Sequence, residues 1–272
     1  MPRRPTALQV LLIGSVCAIV AGLVFSDWRA DRYSLSSNAL GERRRYLVSL
    51  PDGYDAGACP CPLLVVLDGG DEKQYSAERP LYTRSREALA ALRREGFPST
   101  VMVGVENRNR VRDMTPVQRP DIYVDGGGSL AFMRFIETEL LPEIEDRWRI
   151  GDRRILYGES YAGLLVLDAL ARGRRAFTDY VAVSPAVGVW PDGLREAFRN
   201  GTAGRPAPRS LFIVYGERDA PLVVDFTPGL VRDVGPLLPA GLRLHREVLA
   251  GEGHSPASSL DRALRFIFAP SS

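Results

Sequence analysis

Ser160 sits in Gly158-Glu159-Ser160-Tyr161-Ala162-Gly163, between a short apolar run ending at Tyr157 and an apolar run of helical length starting at Leu164. A serine at a sharp strand-to-helix turn has its hydroxyl pushed out over a sheet edge, where it can attack a carbonyl carbon. Strand and helix backbones approach closely at such a turn, so the positions two before and two after the serine must be small. Gly158 meets this need; Ala162 departs from the G-x-S-x-G pattern by one methyl group, and Gly163 follows at once. A hydroxyl is a poor nucleophile at neutral pH and needs a general base, most often an imidazole. The chain has two histidines. His245 lies in an alternating run from Leu242 to Leu249 and reads as a solvated strand residue. His254 lies in Gly251-Glu252-Gly253-His254-Ser255, a loop between the last strand and the last helix, and is the expected base.

A carboxylate is needed to fix the imidazole tautomer and stabilise the imidazolium. The run Leu211 to Tyr215 leads into Gly216-Glu217-Arg218-Asp219. Asp219 is the first choice and Glu217 the alternative, because the loop must turn before an acid can face the histidine. An oxyanion formed at the attacked carbonyl calls for two backbone N–H groups: that of Tyr161, directly after the nucleophile, and one from an early loop. Leu67-Asp68-Gly69-Gly70 closes the first buried strand, which makes the N–H of Gly70 the second candidate, although two glycines could equally serve only to make a turn. Arg110 and Arg112 could hold an anionic substrate or brace Asp113 and its loop.

These groups need a scaffold that brings loops from distant parts of the chain to one edge. Continuous apolar runs at Leu63–Leu67, Val101–Val105, Arg154–Tyr157, Tyr180–Val183 and Leu211–Tyr215 alternate with segments of helical period, the pattern of an α/β domain with a mostly parallel central sheet and helices on both faces. Arg44–Leu50 and Leu242–Leu249 alternate and read as outer strands. Helices are expected over Ala77–Glu95, through Leu130, Met133, Ile136, Leu140 and Ile144 with a kink at Pro142, over Leu164–Ala171, and after Ser255 as N-cap with Pro256 at the first helical position.

With 272 residues and a net charge of +2, the chain fits one sizeable core and offers no localised basic face for nucleic acid. Arg3 and Arg4 precede a charge-free apolar run from Ala7 to Phe25, intermediate between a secretory signal and a spanning helix. The order of charge and apolar run leaves everything after Asp27 outside the cytoplasm, so the expected location is periplasmic or anchored facing the periplasm, with membrane contact only through the N-terminus. Residues 1–28 are thus read as signal peptide or anchor, 29–37 as a linker and 38–270 as the catalytic domain. Cys59 and Cys61, one proline apart, cannot easily bridge, and no further Cys or His pair completes a metal tetrahedron; neither metal nor cofactor is expected.

The chain resembles the Putative esterase family of α/β-hydrolases, and within it the enterochelin-esterase-like branch. The resemblance runs from about residue 35 to the C-terminus. It rests on Arg45 to Pro51 leading to Gly53-Tyr54-Asp55, Leu67 to Gly70, Arg110 to Pro116, Glu139-Leu140-Leu141-Pro142, the Gly158 to Gly163 turn, and Ser184-Pro185 followed by Trp190. It implies an α/β-hydrolase fold and carboxylic-ester hydrolysis through an acyl-enzyme, with siderophore-type tri-esters as substrate. A carbohydrate or cell-wall O-acyl esterase, an acyltransferase, and a silent envelope-binding module are the alternatives. Ser160, His254 and Gly70 fall on the family's nucleophile, base and oxyanion positions. Asp219 falls on its acid, three places after the strand-ending glycine, while some relatives are thought to work as a Ser-His pair. Trp190 follows the segment that forms a substrate wall in relatives. Ala186 and Gly188 depart from the pattern there.

Overall fold

The computed structural model describes residues 30–54, 60–70, 80–123, 125–174, 176–201 and 208–270. The N-terminal segment 1–28, Cys59 and the start of the helix expected from Ala77 lie outside these residues. Eight strands, β1 (Ala30–Ser37), β2 (Glu42–Ser49), β3 (Cys61–Leu67), β4 (Val101–Val105), β5 (Ile150–Glu159), β6 (Asp179–Val183), β7 (Ser210–Gly216) and β8 (Arg243–Leu249), form one sheet in the order β1-β2-β4-β3-β5-β6-β7-β8. The pairs β1/β2 and β2/β4 are antiparallel and all others are parallel.

The helices are α1 (Leu81–Arg94), α2 (Arg110–Met114), α3 (Ser129–Phe135), α4 (Leu141–Arg147), α5 (Tyr161–Ala171), α6 (Pro191–Gly201), α7 (Pro221–Val224), α8 (Thr227–Val234) and α9 (Ser259–Phe268). The inner strands β3, β4, β6 and β7 and the second half of β5 are apolar on both sides because both faces are covered. Leu64, Val66, Tyr157 and Phe212 pack with Leu89 of α1 and Leu264 of α9. Leu63, Val65, Leu156 and Ile213 turn the other way onto Phe132 of α3 and Leu164 and Leu167 of α5. Ten of the eleven residues of α5 are buried, so this helix is held centrally against the sheet and fixes where its first residue stands.

Three elements differ from the sequence expectation. Residues 30–37, read as a linker, form the edge strand β1, whose register runs from Ala30 opposite Ser49 to Ser37 opposite Glu42. Among its described apolar side chains Tyr33 and Leu35 pack against the core, and the rest of the strand is mostly polar, which is why it looks like polar chain. The helix expected through Leu130 to Ile144 is divided by one π-helical turn, Ile136–Leu140, in which the N–H of Leu141 reaches back to the carbonyl of Ile136. Pro142, which has no N–H and crowds the carbonyl four residues before it, accounts for this widening. The last helix begins at Ser259 rather than after Ser255. Ser255 has φ = 55°, and its N–H is bound by a side chain of the site described next.

Candidate active site

β5, β6, β7 and β8 are parallel neighbours, so the loops that follow them lie side by side along one edge. Ser160 ends the first loop, Ser184 follows β6, Asp219 follows β7 and His254 follows β8. Ser160 has φ = 61° and ψ = −118°, a left-handed conformation costly for a residue with a side chain. Three bonds hold it there: its N–H donates to the carbonyl of Val183 at 2.9 Å, and its carbonyl accepts the N–H groups of Leu164 at 3.0 Å and Ala186 at 3.1 Å.

The glycines explain how the turn fits. A Cβ on Gly158 would stand 2.4 Å from the carbonyl oxygen of Ala162, and one on Gly163 would stand 2.8 Å from the carbonyl oxygen of Val183. The close approaches are thus taken by Gly158 and Gly163, and the methyl of Ala162 is accommodated, fully buried, against Gly158.

His254 Nδ1 lies 2.6 Å from Asp219 Oδ1. An ionised carboxylate can only accept, so Nδ1 carries a proton, and in the neutral imidazole the lone pair is then on Nε2, the tautomer a general base requires. Asp219 is 7% exposed. Burial works against its ionisation, but hydrogen bonds from His254, Ser184 and the N–H of Ala220 outweigh it and hold the carboxyl below its ordinary value. Glu217 has a different partner: its carboxylate accepts the N–H of Gly251 at 2.9 Å, bracing the histidine loop from outside. That loop also crosses the end of β7 so closely that a Cβ on Gly216 would meet the carbonyl oxygen of Gly253 at 2.2 Å.

On the other side of Ser160, the loop after β3 presses against β4. Gly69 donates its N–H to the carbonyl of Val105 at 3.0 Å, and a Cβ on it would lie 2.4 Å from Cα of Gly104. With that N–H engaged, Gly70 is the next backbone donor in the loop. Tyr161 is the first residue of α5, where N–H groups have no intrahelical acceptor and the helix dipole favours negative charge.

The three expected substrate contacts fare differently. Arg110 lies between the segments of the two candidate oxyanion donors: its Nε donates to Asp68 Oδ2 at 2.8 Å, its Nη2 to the carbonyl of Glu159 at 3.3 Å, and its guanidinium stands 5.3 Å from the ring centroid of Tyr161. Asn107 also donates to Asp68. Arg112 instead braces structure, bonding Asp113 Oδ1 at 2.9 Å and Glu42 Oε1 at 2.6 Å. Trp190 is not gathered with the serine. Its indole packs on Gly193, has Arg172 above it at 5.8 Å, and lines a cavity of about 790 Å³ with Leu130, Glu137 and Asn200. Arg172 follows the last turn of α5, roughly 16 Å along the helix axis from Tyr161.

His245, expected to be a solvated strand residue, is exposed on β8, where its ring stacks on Phe212 at 5.1 Å between centroids. Among the described residues no group of three or more His, Cys, Asp or Glu is placed to hold a metal ion, and no helix is long and apolar enough to cross a membrane.

Comparison with known proteins agrees with this architecture. The chain is 32% identical over 165 residues to ferri-bacillibactin esterase BesA of Bacillus subtilis, covering 56% of this chain and 57% of BesA. It is 30% identical over 166 residues to a siderophore triacetylfusarinine C esterase of Aspergillus fumigatus, covering 55% and 53%. The chain thus matches little more than half the length of either relative. The crystal structure of an IroE-like serine hydrolase from Shewanella oneidensis superposes with a TM-score of 0.77 at 25% identity, over 89% of this chain and 82% of that one. The model of the Putative esterase family matches residues 37–207, and the chain therefore belongs to that family and has the α/β-hydrolase fold.

Proposed function

We propose that the protein is a serine carboxylic-ester hydrolase acting on siderophore-type esters. The observation that carries this reading is the pairing of a strained serine at the sheet edge with a buried Asp219 bonded to an exposed His254 on the loops of the neighbouring strands. In the reaction, Ser160 Oγ bonds to the ester carbonyl carbon while His254 Nε2 takes its proton. The carbonyl electron pair moves onto oxygen, where the N–H groups of Tyr161 and Gly70 meet it. Collapse of this intermediate breaks the bond to the alcohol oxygen, which receives the proton from His254, and leaves an acyl-serine. Water repeats the sequence with His254 as base, releasing the acid and restoring Ser160.

The substrate class is supported by two relatives named as siderophore esterases. Arg3 and Arg4 ahead of the apolar run 7–25 support an extracytoplasmic location, with the N-terminus as signal or anchor.

The test is hydrolysis of three ester groups by the full chain: ferric tri-catecholate esters, feruloyl esters and acetylated sugars. The reading expects a kcat/KM at least tenfold higher on the first group. Equal or higher values on acetylated sugars would move the assignment to carbohydrate esters.

A further inference from the structure

Asp219 and His254 belong to a closed ring that also contains Ser184 and Ser255. Ser184 follows β6, is fully buried, and has φ = 44°. Its Oγ lies 2.5 Å from Asp219 Oδ2 and 2.9 Å from the backbone nitrogen of Ser255. The direction of both bonds follows from chemistry. A backbone N–H can only donate, so the Ser184 oxygen accepts from Ser255; its own proton is then left for the carboxylate, which can only accept. Asp219 Oδ1 receives His254 Nδ1–H and the N–H of Ala220, so both carboxylate oxygens are engaged.

We propose that Ser184 is a positioning residue of the ester hydrolysis, orienting the Asp219 carboxylate and anchoring the loop that carries His254 through a single hydroxyl. The inference rests on the serine-esterase reading above. Its geometric basis is that His254 is 43% exposed on its side chain and lies in a loop of exposed residues, so little packing fixes the imidazole. The bond from Ser255, the next residue, ties that loop to the buried sheet edge. The conformation of Ser184 points the same way: a serine kept at positive φ, where glycine would be unstrained, is retained for its side chain.

The experiment compares Ser184→Ala and Ser184→Gly in the full chain, with turnover of p-nitrophenyl butyrate expressed per active site titrated by a fluorophosphonate. Glycine removes the hydroxyl while relieving the backbone, so its stability serves as the folding control. Both variants are expected to lose about ten- to a hundredfold in kcat with KM within about twofold. In the background of Asp219→Asn, Ser184→Gly is expected to add less than about threefold, because the two residues act through one imidazole. Turnover per titrated site within twofold of the parent in Ser184→Gly would overturn the proposal. So would failure of both variants to fold, which would place the hydroxyl's role in folding. Failure of the underlying site reading is separately visible: a His254→Ala variant hydrolysing at the parental rate would refute the site whatever the Ser184 variants do.

Discussion

The carboxylate that faces His254 is Asp219, at 2.6 Å from Nδ1, while Glu217, two residues earlier, binds the backbone of the same histidine loop at Gly251. Two acids in one turn therefore have separable jobs. Asp219→Asn leaves the geometry but offers Nδ1 a group that can also donate, so the wrong tautomer is favoured; turnover is expected to fall about a thousandfold or more. Glu217→Gln keeps an acceptor for the Gly251 N–H and is expected to cost less than about threefold. Steady-state turnover of both amide variants on one ester at pH 8 checks this, and mild losses in both would show the protein working as a Ser-His pair.

Asp219 also makes stability depend on pH in a defined direction. Its folded-state pKa lies below the ordinary value of 3.8. Its stabilising contribution is then fully present above about pH 4 and is lost as pH falls through the depressed value. The difference in unfolding free energy between the parent and Asp219→Asn should shrink as pH falls below about 4. A difference that keeps growing as pH falls below about 4 would contradict the assigned ionisation.

Arg110 joins Asp68, two residues before the candidate oxyanion donor Gly70, to the carbonyl just before Ser160. Burial raises the carboxyl pKa of Asp68, and Arg110 and Asn107 offset this only in part, so Asp68 depends on its cation. Arg110→Gln is expected to lower kcat about tenfold, and the pair Arg110→Gln with Asp68→Asn should cost less than the product of the two single effects. Multiplicative losses in a double-mutant cycle would show that the two residues act separately.

Arg44 and Asp113 are both completely buried and bonded at 2.6 Å, with Arg112 on the second oxygen of Asp113. Arg44→Met removes one partner and leaves a buried charge, which costs about 3 kcal/mol in comparable settings. Urea unfolding should show that loss with turnover per folded molecule unchanged, since this cluster lies outside the reaction chemistry. A loss below about 0.5 kcal/mol would mean that Arg112 alone satisfies the carboxylate.

How much of this could be read from the sequence depends on whether a residue's task leaves a mark on its neighbours. The turn at Ser160 does so, because close backbone approach demands Gly158 and Gly163 and the buried α5 demands an apolar run. The positions of Asp219 and His254 were legible because glycines end β7 and flank the histidine loop. Ser184 enters only as part of the family resemblance, and its task is not legible, because its partners are 35 and 71 positions away. β1 was read as linker because an edge strand needs few apolar residues. Arg44 lay hidden in Arg43-Arg44-Arg45, where alternation marks one face as buried but nothing shows that a charged side chain occupies it with Asp113. Trp190 was placed by resemblance, and the indole instead turns toward the far end of α5.

The central claim is that Ser160 is the nucleophile, and the most direct measurement is stoichiometric labelling by a fluorophosphonate read by intact mass, alongside ester turnover, for the parent and Ser160→Ala. The account predicts one adduct per parent chain with full loss of turnover, no adduct on Ser160→Ala, and a fall in kcat of at least about a thousandfold in that folded variant. Labelling of Ser160→Ala, or turnover above about a tenth of the parental value, would contradict it.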